Sequence, residues 1–85
     1  MYKITNVTDT QGYQKIMFMD ELQKVHPKMC GELLYPLSSA NRLCLIWADR
    51  SDKMLRTSNI KKYKEENGVL TVETQNSIYT LERVK

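Results

Sequence analysis

Asn67-Gly68, set between two β-rich runs, is the strongest turn signal in this chain. A type I′ turn needs positive φ at both central positions, and Asn-Gly meets that demand cheaply. As a two-residue loop it places Glu66 opposite Val69, Glu65 opposite Leu70, Lys64 opposite Thr71, Tyr63 opposite Val72 and Lys62 opposite Glu73. A second tight turn at Gln75-Asn76 sets Thr74 against Ser77, Glu73 against Ile78, Val72 against Tyr79 and Leu70 against Leu81. The two registers agree, so residues 59–85 read as a three-stranded antiparallel meander.

One face of that meander carries Tyr63, Leu70, Val72, Tyr79 and Leu81; the other carries Lys62, Lys64, Thr71, Glu73 and Thr80. Glu65 falls on the apolar face and Ile78 on the polar one, against the pattern. A three-residue loop with a bulge at Gly68 would reverse the faces of the first strand. The two-residue loop is preferred because it turns Tyr63 inward and the lysines outward.

The chain has 85 residues, enough for one domain with a small core. Hydrophobic residues make up 41%, spread along the whole length, which argues for a globular rather than a disordered chain. With three glycines and two prolines, no stretch has the composition of a flexible linker. The expectation is a single small β domain over residues 1–85. No apolar run is long enough for a membrane span, and the alternating start, Tyr2 to Thr8, lacks the apolar segment of a secretory signal. A cytoplasmic protein is expected, with Cys30 and Cys44 reduced.

Residues 2–8 alternate as an edge or closing strand, with Tyr2 and Ile4 on one face and Lys3, Thr5 and Val7 on the other. Asp9 to Gly12 is turn-like. Residues 13–29 carry two signals. Tyr13 to Met19 alternates, whereas Phe18, Leu22, Val25 and Met29 fall on one helical face. The expectation is a strand to about Phe18 and a helical turn or short helix over residues 20–26, capped by Asp20 and stopped by Pro27. Residues 31–35 form a short strand, 42–47 a central strand, 48–53 a turn and 54–57 a return strand, with Ser58-Asn59 leading into the meander. Short strands at this spacing predict a mainly β fold: a small antiparallel barrel or a strongly bent sheet, with at most one short helix.

Leu55-Arg-Thr-Ser58, followed by Val69-Leu-Thr-Val-Glu-Thr-Gln-Asn-Ser-Ile-Tyr-Thr-Leu81, carries a family likeness. The pattern resembles that of small uncharacterised proteins of phages, prophages and mobile elements of Gram-positive bacteria, which look like small barrels of the Src-homology-3-like type. The likeness covers about the last third of the chain, and its motif is structural. It implies an accessory protein that binds or inhibits a host protein, such as a defence component.

Chemistry-bearing residues are sparse. His26 and Cys30 are four apart, but a metal or Cys–His site needs further ligands or an orienting carboxylate. The bland assignment is a surface histidine before Pro27 and two small core thiols. Asp49-Arg-Ser-Asp52 reads as a hairpin turn rather than as paired carboxylates for acid–base work. No phosphate-cradling glycine loop or Ser-His-Asp pattern is present. The expectation is a protein that is not an enzyme, with no cofactor, metal or small-molecule substrate.

Formal charge is +3, from 13 Lys and Arg against 10 Asp and Glu, which suits solubility and says little about partners. The expected role is a protein–protein interaction module acting on a host protein or on a second copy. Its expected contacts are Met17, Phe18, Met19 and Leu22 together with Trp47, Arg50, Lys53 and Arg56. The alternative is a nucleic-acid-binding barrel using Lys53, Arg56, Lys61, Lys62 and Lys64, with exposed aromatics for stacking. Those lysines would otherwise guard a sheet edge.

Overall fold

The computed structural model describes residues 1–39, 41–50 and 52–84. Among the described residues, six strands and one helix follow one another. They are β1 (Tyr2–Thr8), α1 (Ile16–Val25), β2 (Cys30–Leu33), β3 (Arg42–Trp47), β4 (Met54–Glu66), β5 (Val69–Thr74) and β6 (Ile78–Arg83). Each strand pairs antiparallel with its neighbour in sequence, and β1 closes the ring against β6, giving a closed barrel.

Both turn-derived registers are those observed: Glu66↔Val69 to Lys62↔Glu73 in the first hairpin, and Val72↔Tyr79 and Leu70↔Leu81 in the second. Asn67 and Gly68 adopt φ of 51° and 80°, as a type I′ turn requires. The second turn is tied by Thr74, whose hydroxyl accepts from the Ser77 amide at 3.2 Å while its own amide donates to the Ser77 carbonyl at 2.8 Å.

The expected return strand and the first strand of the meander are one strand, β4, of 13 residues. Straight, it would span roughly 43 Å. The whole Cα trace measures 28 × 27 × 24 Å, so β4 must bend. Two register shifts accompany the bend, one between Arg42 and Cys44 on the β3 side and one between Ile60 and Lys62 on the β5 side. Each extra residue reverses the inward-facing phase. Thr57 and Ile60, of opposite parity, are therefore both buried. Ser58-Asn59, a break by composition, lies within continuous strand.

A third shift, between Ile4 and Asn6, moves Val7 to the inside, where the simple alternation had placed it outside. Ile4, Val7, Leu43, Leu45, Trp47, Ile60, Leu70, Val72, Tyr79 and Leu81 form the core with Met29. Burial of each large aliphatic side chain contributes about 1.5–3 kcal/mol relative to exposure.

Residues 13–29 correct the expected strand. The helix begins at Ile16, four residues earlier than read, and Asp20 is not its cap: the N-cap is Lys15, without a side-chain hydrogen bond. Phe18, Met19 and Leu22 pack against the core, whereas Ile16, Met17 and Val25 are exposed. Four consecutive apolar residues that no alternating strand can bury are split by helical geometry between two faces. β1 and β2 pair only at Tyr2↔Gly31 and Lys3↔Cys30, and α1 packs against β1, adding its apolar stripe to the core. Among the described residues no helix is long and apolar enough to cross a membrane.

Candidate binding surface

Alternation along β3 turns Leu43, Leu45 and Trp47 into the barrel and leaves Arg42, Cys44 and Ile46 on its outer side. Across the ladder these face Asn59, Arg56 and Met54 in that order. The β3–β4 register shift costs Leu43 a ladder partner, and its amide donates instead to Thr57 Oγ1 at 3.0 Å. This bond anchors the bulge on β4 between Arg56 and Asn59, opposite Arg42 to Cys44.

Past β2 the chain stays beside β3 for one more bond, from the Leu34 amide to the Cys44 carbonyl at 3.0 Å. Tyr35 then folds over β3 with its hydroxyl 2.9 Å from Cys44 Sγ, leaving that thiol buried on the outer side of the sheet. This bond, followed by partial burial, raises the Tyr35 hydroxyl above its ordinary value, while Arg56 and Arg42 pull it down. Leu34, Tyr35 and Met54 are exposed around this point. Arg42 and Arg56 are exposed too, and neither has an ion-pair partner among the described residues. Aromatic, Met and Arg side chains on one rigid face make the composition typical of protein contact surfaces.

The expected contact residues are divided by the fold. Met17 is 84% exposed on the outer side of α1. Phe18, Met19 and Leu22 are half-buried and pack against the core. Trp47 is 3% exposed and stacks on the His26 ring at 4.0 Å, so it is core rather than contact surface. Arg50 sits in the β3–β4 turn, 3.5 Å from Asp52, whose carboxyl is lowered by its own backbone hydrogen bond and by Arg50. Arg56 remains exposed on the β3-paired half of β4, and Lys53 is exposed in the turn just before that strand.

Lys61, Lys62 and Lys64 lie beyond the bend on the β5-paired half. Lys62 is 3.7 Å from Glu73 and Lys64 3.3 Å from Glu66, so two of the three lysines have carboxylate partners. Tyr63 shares the face of Val72 as the register demands, yet it is 45% exposed. Within the barrel β4 pairs with β3 only as far as Asn59, and no described strand flanks Tyr63 on that side.

His26 is not a surface residue. It is buried, and its Nδ1 is 2.8 Å from Asp49 Oδ1. Beside Asp49 lies an open cleft of about 690 Å³ lined by Met1, Pro27, Lys28, Cys30, Ala48 and Val84. The Cys30 thiol donates to the Lys28 carbonyl at 3.2 Å, so thiol and imidazole have separate partners. Both cysteines are free. The described residues contain no cluster of three or more metal-ligating side chains.

Sequence reasoning missed Arg42 and Leu34 as surface residues and the pairing of His26 with Asp49. Arg42 was legible in principle, since it shares the outward parity of Cys44 at the head of the most hydrophobic segment. The histidine pair was not, because residues 26 and 49 meet only through tertiary folding. Comparison with protein-family models, with curated proteins and with solved structures finds no match for this chain.

Proposed function

We propose that this barrel is a non-enzymatic protein–protein interaction module and that the outer face of β2–β4 is its contact surface. The observation that carries the reading is the joint exposure of Leu34, Tyr35 and Met54 beside two guanidiniums, Arg42 and Arg56, without carboxylate partners among the described residues. Strands β3 and β4 carry Arg42, Arg56 and Met54, and bonds to Cys44 hold Leu34 and Tyr35 beside them. This lowers the entropic cost of presenting a hot-spot cluster. The likeness to phage and mobile-element proteins extends the proposal to an accessory protein that engages a host protein such as a defence component.

The test is affinity capture from a Gram-positive host lysate with the wild-type chain and with Tyr35→Ala and Met54→Glu. A host protein retained by the wild type and lost with both variants supports the reading. Capture unaffected by either variant, or no capture at all, sinks it. A nucleic-acid-binding role is favoured by the same two arginines and Tyr35. It predicts instead a gel shift with single-stranded DNA that weakens steeply with salt.

A further inference from the structure

Arg56 stands opposite Cys44 across the ladder, and Arg42 lies two residues before Cys44 on the same strand. Tyr35 covers the thiol between them. Two residues further along β3, Ile46 faces Met54. Outward positions on a strand recur about every 7 Å. Along β3 the face therefore presents a cation, then a cation with an aromatic ring, then an apolar pair.

Guanidinium groups match carboxylates bidentately, and that geometry is stronger than a neutral hydrogen bond. A second copy offering the same face in reverse would set arginine against arginine, which disfavours self-pairing here. Glu32, the acidic residue facing Ile46 on β2, is 3.4 Å from the Met1 amine and so is itself engaged.

Resting on the interaction-module reading, we infer that this face takes an extended acidic segment of a partner protein. Two carboxylates spaced two residues apart meet Arg42 and Arg56, and an aliphatic side chain two residues further on meets Ile46 and Met54.

The probes are a synthetic peptide with the core Glu-Ser-Glu-Ser-Leu, its Gln-Ser-Gln-Ser-Leu counterpart, and an oligothymidylate. Each is titrated into the isotope-labelled full chain, and backbone amide shifts are followed. The expected result is movement of the Tyr35, Arg42, Cys44, Ile46, Met54 and Arg56 amides with the acidic peptide. Affinity should fall about tenfold for Arg42→Gln or Arg56→Gln, since hydrogen bonds to charged groups are worth that much. Spectral dispersion verifies that both variants fold.

Equal binding of the glutamine peptide overturns the inference, as does a response to oligothymidylate alone or to none of the probes. Capture with Met54→Glu separates the two ideas. A host protein lost with that variant, beside a silent acidic peptide, keeps the module and removes only the acidic segment.

Discussion

Glu65 and Arg83 meet at one end of the barrel, where Glu65 Oε2 accepts a hydrogen bond from Arg83 Nη2 at 2.8 Å. Tyr2 completes the cluster, its hydroxyl 3.2 Å from the same carboxylate oxygen and 3.0 Å from the guanidinium. The Arg83 guanidinium also lies 5.4 Å from the centre of the Tyr2 ring. The β4–β5 register assigns Glu65 to the inward parity opposite Leu70, where alternation asks for an apolar residue. A carboxylate is tolerated there because it lies near the rim, with a cation from β6 and a hydroxyl from β1 at hand.

That cluster has a pH signature. The Arg83 hydrogen bond, with lesser help from its charge and from Tyr2, holds the Glu65 carboxyl below its ordinary value. A depressed folded-state value means the stabilisation is fully present above the unfolded carboxylate range. It is lost as pH falls through the lowered value. Thermal melts across acid pH should show wild type and Arg83→Gln separated near neutrality and converging in acid. A separation constant down to the lowest pH would rule out Glu65 as the source.

Gly31 is required by packing rather than by φ. A Cβ there would overlap the Ile46 carbonyl oxygen and lie 2.8 Å from Leu45 Cγ. The carbonyl is part of the β3 backbone and cannot withdraw without disturbing the β2–β3 ladder, and the Leu45 side chain is fully buried. Gly31→Ala should destabilise by about 1–3 kcal/mol, read as a lowered urea midpoint. Gly12→Ala meets open space, and its cost is confined to its positive φ of 97°.

His26 covers Trp47, the single tryptophan of the chain, with rings 11° from parallel. Removing the imidazole leaves the indole face open and deprives Asp49 of its partner. His26→Ala should cost about 1–3 kcal/mol and shift Trp47 emission to the red in the native state. Asp49→Asn, which keeps the stack, should leave the emission near its wild-type position.

Tyr35 shields Cys44. A thiol reagent used on a Cys30→Ser background should modify Cys44 slowly in the native chain. Tyr35→Ala should accelerate that reaction without a matching loss of thermal stability, because the ring is exposed while the thiol beneath it is buried. Equal rates in the two proteins would show that the thiol is reached by another route.

Gly68 tests the turn itself. Its φ of 80° is strained for any other L-residue. Gly68→Ala should therefore cost about 1 kcal/mol, measured by chemical denaturation.

Local rules carried the C-terminal half. Turn chemistry at Asn67-Gly68 and at Thr74 to Ser77 set the registers of β4, β5 and β6, and the density of short strands implied the barrel. These interactions connect residues close in sequence, so their spacing alone determines them. What alternation could not reveal were the phase reversals at Thr5, between Arg56 and Asn59, and at Lys61. Two of those bulges lie on β4, a 13-residue strand that must bend to close a small barrel, and closure is a property of the whole ring.

The same limit hid the sites. Trp47 carries the signature of a contact aromatic until His26, far away in sequence, folds over it. Phe18, Met19 and Leu22 form an exposed-looking run until helical geometry turns them onto the core. Arg42, Arg56 and Tyr35 become a surface only when β3 pairs with β4 and the chain after β2 crosses back. Sequence by itself determined most of the strands and the registers of the two C-terminal hairpins. Tertiary structure decided which of their faces met water, because burial depends on partners brought together by ring closure.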